Sequence, residues 1–476
     1  MRDRLDDPGR STEASARAIS MSVKARLGRA TMVEGVKDVL AYARAAYRGV
    51  VRKRARPARG GQAGAQKHVL MIDDLVPDPL FGAGYPRAFA IVQSLVAAGH
   101  RVSFYPMRSS PADIDRMTTA FAGAVLFHPG AGARGLRRLL WTHGADVDSL
   151  FISRPMPMAA FVQAGWQAGA KAGRRSAQVV YDAEAVLAPR EARRRALFDT
   201  RWSDQDYQVA IADELAVART ADAVTAVGEG DAATIRSVLD APVFVLPHPV
   251  AIRAGTAPFG DRQDFLFVGR LTGSSSQSPN IDSVTWFLTA VMPVLDSLIG
   301  TGYRLHVVGR VESAEIEALA SDRVVLHGVV EDLQPLYDRC RVFVASTRYA
   351  AGIPLKVVEA MGEGIPCVVT PLLADQLALP PQPGTAQPET GQPETGQPHD
   401  VPVDRQTGDT GARQFAENCA RLYTDQAAWQ AARDSGTAHV TRCFSQQAFD
   451  TVLHDVLRQG DRPRDAQGVP FSQSIR

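Results

Sequence analysis

Cysteine is scarce in this chain: Cys340, Cys367, Cys419 and Cys443 are the only four in 476 residues. None stands in a CxxC pair or a metal-ligand spacing, which argues against a disulfide scaffold and against a zinc site. Long apolar runs are missing too, since no stretch reaches the roughly 18 residues a membrane span needs. The opening MRDRLDDPGRSTEASARA has no apolar core segment, so it does not read as a secretory signal. An overall charge of one sign is also absent, with 53 Lys/Arg against 51 Asp/Glu. The balance is uneven along the chain: residues 1–60 hold 15 Lys/Arg and 6 Asp/Glu, so the head carries +9 and the remainder −7. A body of that sign is not suited to nucleic-acid phosphates, and no nucleic-acid partner is expected. The expected location is the cytoplasm.

What is present is an ordinary globular balance, 45% apolar and 22% charged residues, over a length that suggests two or three domains at roughly 100–200 residues each. Residues 1–66 read as a basic, partly disordered extension. Within it, residues 32–56 have helical apolar spacing interleaved with Lys37, Arg44, Arg48 and Arg52, a pattern able to lie on an anionic membrane surface or simply to stay solvated. From 67 to 250, apolar runs such as HVLMID (68–73), RVSFYP (101–106), SLFIS (149–153) and QVVYD (178–182) alternate with helical patterns. Residues 251–263 form a low-apolar break, the expected hinge. The alternation restarts over 264–460 with DFLFVG, RLHVVG, RVVLHG, RVFVAS and PCVVT. Continuous apolar strands alternating with helices predict two α/β domains, each a doubly wound parallel sheet, facing one another across a cleft. Residues 379–412 hold a tandem QPETG and few large apolar residues, and are expected to be a disordered insertion; residues 461–476 read as a disordered tail.

The richest segment is RVFVASTRYAAGIPLKVVEAMGEGIPCVVT, residues 341–370. A buried strand enters a loop, Gly352 permits a turn, and Pro354 suits the first turn of a helix. The free N–H groups at that helix start attract an anion, and Ile353 lies among them. Lys356 in the first turn opposes the helix dipole, a conflict that a bound phosphate removes. Glu359 can accept hydrogen bonds from two hydroxyls, as of a ribose. The alternative is a simple Lys356–Glu359 surface pair. In the first half, FGAGYPR (81–87) supplies Gly82 and Gly84 for close backbone approach but fails as a dinucleotide fingerprint, because its third position is Arg87. Asp73 and Asp74 end the first strand, and Asp182 and Glu184 end another. They are candidates to meet an acceptor, with turn capping, or a salt bridge from Asp182 and Glu184 to Arg190, Arg193 or Arg194, as the alternative. His128 is a cleft candidate.

Together with FVGRLTGSSSQSPNIDSVTWFLTAVMPVL, LHVVG and VVLHGVVEDLQPLYDRCRVFVAS, the 341–370 segment resembles the nucleotide-sugar domain of family 4 glycosyltransferases, also described as glycosyl transferases group 1. The first half resembles that family more loosely, and the whole covers about residues 68–460. The resemblance implies the GT-B fold of two facing Rossmann-like domains. It implies a retaining transfer of a sugar from a nucleotide-diphosphate sugar, without metal or other cofactor, to a glycan or lipid-linked acceptor in cell-surface polysaccharide assembly. By the same resemblance Glu359 holds the nucleotide ribose, and Arg270 after Gly269 faces the donor diphosphate. The family's second cation has TGSSSQ in its place here, which makes Lys356 the candidate substitute. The position of the family's donor-sugar glutamate is Ala351. That departure keeps two alternatives open: a non-catalytic nucleotide-sugar-binding or partner module, and a nucleotide-sugar epimerase. Against a lipid-linked acceptor, the basic head at 32–56 would hold the protein peripherally at the inner face of the membrane.

Overall fold

The computed structural model describes residues 66–82, 84–166, 177–379 and 409–459. The helix expected at 32–56, the tail and most of the insertion lie outside those residues; the last four residues of the expected insertion, 409–412, open a helix.

Strands β1 (His68–Asp73), β2 (Arg101–Pro106), β3 (Val125–Phe127), β4 (Ser149–Ser153), β5 (Gln178–Glu184), β6 (Ala223–Ala226) and β7 (Val243–Val245) form one sheet in the order β3-β2-β1-β4-β5-β6-β7. Every pairing in it is parallel. The near-continuous apolar strands follow from burial on both faces. In β1, Leu70 and Ile72 feed one core while Val69 and Met71 feed the other.

A second parallel sheet contains β8 (Gln263–Val268), β10 (Leu305–Val308), β12 (Val324–Gly328), β13 (Cys340–Ala345) and β14 (Cys367–Val369), ordered β12-β10-β8-β13-β14. A two-stranded ribbon, β9 (Leu271–Thr272) with β11 (Val311–Glu312), extends from the ends of β8 and β10. Two-residue strands carry no readable period, so the ribbon is invisible in the sequence. Strand order reverses between β1 and β4 in the first sheet and between β8 and β13 in the second. These switch points open crevices at the carboxyl ends of the strands, where ligands of such sheets bind.

Three features differ from the sequence reading. The last helix, Gln446–Gln459, does not stay with the second sheet. Its apolar stripe Phe449, Leu453, Val456 and Leu457 joins the core of the first, and its carbonyls at Val456 and Leu457 accept from Gln178 Nε2 (2.8 Å) and Lys67 Nζ (2.7 Å). An amphipathic stripe reports that a helix packs, not which sheet receives it. The expected hinge is anchored to the second domain: Arg253 and Gly255 donate to the carbonyls of Gly362 (2.9 Å) and Glu363 (3.0 Å), and the fully buried Arg262 donates to the Tyr337 and Ala257 carbonyls. Finally, Pro279–Ile299 is long and apolar enough to cross a membrane by composition. Half of it is buried, and Ile281, Val284, Phe287, Val291 and Leu295 belong to the second domain's core. A wide π turn at Phe287–Val291 precedes Pro293, which cannot donate within a regular α-helix.

Candidate active site

At the carboxyl end of β8 the backbone is crowded. A Cβ on Gly309, whose φ is +134°, would collide with the Gly269 carbonyl, and one on Gly269 would stand 2.9 Å from the Asn280 side chain. Glycine is required at Gly309 for the turn as well as the approach. The exposed Arg270 follows, its Nε donating to Thr272 Oγ1 at 3.2 Å. Its carbonyl accepts from Asn280 Nδ2 (3.0 Å), and Asn280 Oδ1 accepts from Lys356 Nζ (2.7 Å). The same ammonium lies 4.1 Å from the centroid of the Phe267 ring. Gly269, Arg270, Asn280 and Lys356 thus form one assembly drawn from three elements. Asn280 is the member that sequence reasoning missed. Its signal was the SPN sequence at a helix start, where Ser278 caps the Ile281 N–H.

Across the switch point, β13 runs into the 346–354 loop. Arg348 forms an ion pair with the buried Asp282, and Tyr349 donates its hydroxyl to the Ser275 carbonyl (2.7 Å). Gly352 has φ +72° and is buried. Pro354 occupies the cap position before the helix Leu355–Gly362 and accepts from the Val357 N–H at 2.8 Å, one residue earlier than the sequence suggested. Ile353 packs against the core beneath. The amine of Lys356 is directed to Asn280 rather than into a surface pair with Glu359. Burial pulls the Lys356 pKa down to about 7 and, with help from Glu363, pushes that of Glu359 up to about 8. Two titratable groups on one helical turn therefore stand near neutrality, a common mark of a functional site.

The first domain meets this loop directly. Phe198 packs edge-on against Tyr349 (5.9 Å between centroids), and the Arg190 guanidinium stands 5.9 Å from the same ring. A Cβ on Gly352 would lie 3.2 Å from Ala185, and one on Gly228 would lie 2.8 Å from the Gln376 carbonyl. The buried Asp231 accepts from the Val186 N–H at 3.3 Å, and burial raises its pKa to about 7.

The acceptor-side candidates divide. Asp182 is fully buried and bound on all sides: Arg87 Nη1 and Nη2 at 2.7 and 2.8 Å, Thr225 at 2.7 Å and Ser153 at 3.1 Å. Although burial strongly opposes its charge, Arg87 together with the Thr225 and Ser153 hydrogen bonds outweighs it and holds the carboxyl below its ordinary range. Asp182 is therefore a brace between strand ends rather than a cleft group, and its partner is Arg87, not Arg190, Arg193 or Arg194. Glu184 instead reaches the crevice, held by Arg154 Nε (2.9 Å) and Nη2 (3.2 Å). Arg154 also binds Asp74 at 2.7 Å and covers the Tyr85 ring at 4.0 Å. Gly84 serves this cluster, because any Cβ there would collide with the Glu184 carboxylate. Gly82 turns the chain with φ +67°. Asp73 is buried, and desolvation raises its pKa well above normal. His128 follows β3, an edge strand, and its backbone N–H donates to the Phe104 carbonyl; β5 and β6, whose loops touch the second domain, lie toward the other edge of the sheet.

Residues 262–384 match the family model described as glycosyl transferases group 1. No curated protein sequence matches the chain. Among solved structures, sucrose-phosphate synthase from Thermosynechococcus elongatus is similar, with TM-score 0.55, 14% identity, and coverage of 83% of this chain and 99% of that one. So is HepE of Anabaena in complex with UDP and glucose (TM-score 0.51, 12% identity, 82% and 99% covered). The lipopolysaccharide outer core galactosyltransferase WaaB is a third (TM-score 0.51, 14% identity, 82% and 99% covered). At these identities the structural likeness speaks for the architecture, while the family match speaks for the second domain, which holds Arg270, Lys356 and Glu359. Residues 262–384 thus match a glycosyl transferases group 1 domain, and the chain as a whole has the GT-B fold of two facing parallel-sheet domains.

Proposed function

We propose that the protein moves a sugar from a nucleotide-diphosphate sugar to a glycan or lipid-linked acceptor with retained anomeric configuration, as part of cell-surface polysaccharide assembly. The observation that carries this reading is the Arg270–Asn280–Lys356 assembly beside the start of the helix Leu355–Gly362, with Glu359 one turn further on. Helix-start amides and two cations suit a diphosphate whose negative charge grows as the sugar departs. In this reading Arg270 and Lys356 neutralise the leaving group, the role a divalent metal fills elsewhere, so the transfer needs no metal. Gly269, Gly352, Ile353 and Pro354 line the approach, and Glu359 accepts the ribose hydroxyls. Gly82, Gly84 and Glu184 lie on the acceptor side. HepE, of similar architecture, holds UDP and glucose.

The acceptor reading also gives the basic head at 32–56 a use, holding a cytoplasmic enzyme at the inner face of an anionic membrane. Vesicle co-sedimentation that survives removal of residues 1–60 would count against that role. For the donor, a panel of UDP-, GDP- and ADP-linked sugars should reveal one that raises the melting temperature and is consumed without added metal, its sugar appearing in the product with the donor's anomeric configuration. Inverted product, or turnover only with a divalent cation, would refute the mechanism. Ala351, where the family resemblance implies a carboxylate, favours one second reading, a nucleotide-sugar-binding module. That reading requires stabilisation by a nucleotide sugar with neither transfer nor hydrolysis.

A further inference from the structure

The loop that follows Arg270, Thr272–Gln277, reads TGSSSQ and contains no cation. Other cations near the ends of β10 and β13 are already engaged: Arg348 with Asp282, and Arg310 with Glu312 at 2.6 Å. Lys356 is tied to Asn280. The second domain therefore offers a diphosphate little positive charge beyond Arg270 and a lysine that burial partly discharges.

The first domain faces this gap with the helix Ala188–Phe198, which carries four arginines. Arg194 and Arg195 each bind Glu191 at 2.9 Å, and Arg194 also binds Asp199 at 2.7 Å. Arg193 donates to the Pro189 carbonyl at 3.4 Å and lies in the field of Asp375 and Asp231. Arg190 differs. Half-buried at the domain junction, it forms no ion pair or hydrogen bond with any described residue, and its guanidinium stands over the Tyr349 ring. The hydroxyl of that ring is bound to Ser275, within the cation-free loop. An arginine partly withdrawn from water, unpaired, and held against a ring that is itself bonded to the cation-free loop is in place to meet an anion.

We infer that Arg190 is a donor-binding residue: it reaches from the first domain across the junction and hydrogen-bonds the diphosphate of the nucleotide sugar. The inference rests on the donor reading proposed above and adds to it a contact from the opposite domain. Since Arg190 belongs to one domain and the phosphate to the other's site, binding of a diphosphate draws the two domains together. The shared contact also distinguishes a diphosphate from a monophosphate, whose single phosphate sits nearer the ribose.

The test is calorimetry of the full chain with UDP, GDP and ADP, each beside its monophosphate. Arg190→Gln is expected to weaken the bound diphosphate at least tenfold while changing the monophosphate less than threefold, with an unaltered melting temperature because no ion pair is lost. Arg190→Lys, which keeps the charge, is expected to lie closer to the wild type than to Arg190→Gln. Equal losses for diphosphate and monophosphate, no loss for either, or a lysine variant as weak as the glutamine variant would overturn the inference, since each describes an arginine that only packs on Tyr349. A wild type that binds none of the three diphosphates would instead overturn the donor reading.

Discussion

The half-buried Lys356 gives the proposed donor site a proton signature. Burial lowers its pKa from 10.5 to about 7, so the folded protein disfavours the charged amine. The unfolded chain binds the extra proton between those values, so folding stability falls as pH drops from 10.5 toward 7. The ceiling on that loss is about 5 kcal/mol at about 1.4 kcal/mol per pKa unit, less because solvent reaches part of the side chain. A diphosphate beside Nζ reverses the preference and restores the charge. At pH 8 a lysine of pKa about 7 is roughly nine-tenths neutral, so binding should take up about 0.9 proton, and affinity should fall nearly tenfold per pH unit above 7. Glu359 titrates near 8 and would blur the count, so the measurement belongs in a Glu359→Gln background. Calorimetric titrations of UDP, GDP or ADP in two buffers of unequal ionisation heat give the proton number directly. Lys356→Met in the same background should abolish the uptake. An uptake near zero at pH 8 with Lys356 intact would refute the reasoning and remove this lysine from the phosphate site.

Other outcomes follow from the same contacts. At pH 9, where a Glu359 of pKa about 8 is mostly ionised, Glu359→Gln should weaken nucleotide binding roughly tenfold or more, in line with about 1.5–3 kcal/mol for a hydrogen bond to a charged group, without lowering the melting temperature; unchanged calorimetric affinity would place the ribose elsewhere. Arg87→Met should destabilise the fold by about 3–5 kcal/mol in denaturant titration, because Asp182 is left charged and buried, whereas Arg87→Met with Asp182→Leu should recover much of that loss. Gly84→Ala should lower the melting temperature by displacing Glu184 from Arg154, and Glu184→Ala should restore it; a neutral Gly84→Ala would show that the carboxylate is not held where the structure places it.

The proposed donor half was legible because its candidate residues are local. One uninterrupted stretch, residues 341–370, contains the strand, turn, helix start, cation and carboxylate, and the physics of a helix N-terminus ties them to an anion. Strand positions in both sheets were legible for a related reason, since a strand covered on both faces must be apolar throughout. The groups that escaped are joined over long separations. Asn280 meets Lys356 across 76 positions, Arg87 meets Asp182 across 95, and the final helix returns to a sheet that began near the first described residue. Nothing in the immediate neighbours of Arg87 or Asp182 states that they pair: Asp182 alone looked like an acceptor contact, and Arg87 only like the residue that breaks a glycine fingerprint.

The same distinction explains why the acceptor half resists reading. In the second domain the proposed anion site is organised by one backbone feature, the start of the helix Leu355–Gly362, with side chains added around it. In the first domain the crevice is shaped by side chains correcting one another: Arg154 and Glu184 both adopt positive φ, at 74° and 55°, and their pairing holds Asp74 and Tyr85 in register with the end of β1. Positive φ in residues with side chains is costly and persists only where surrounding contacts over-determine it. Those contacts come from β1, β4, β5 and the helix that follows β1, so the arrangement exists only once the sheet has closed. Exchange of a few such side chains would reshape the crevice without touching the donor site. If the proposed assignment holds, acceptor choice can change on a constant second domain, because the two crevices are built from separate sets of residues.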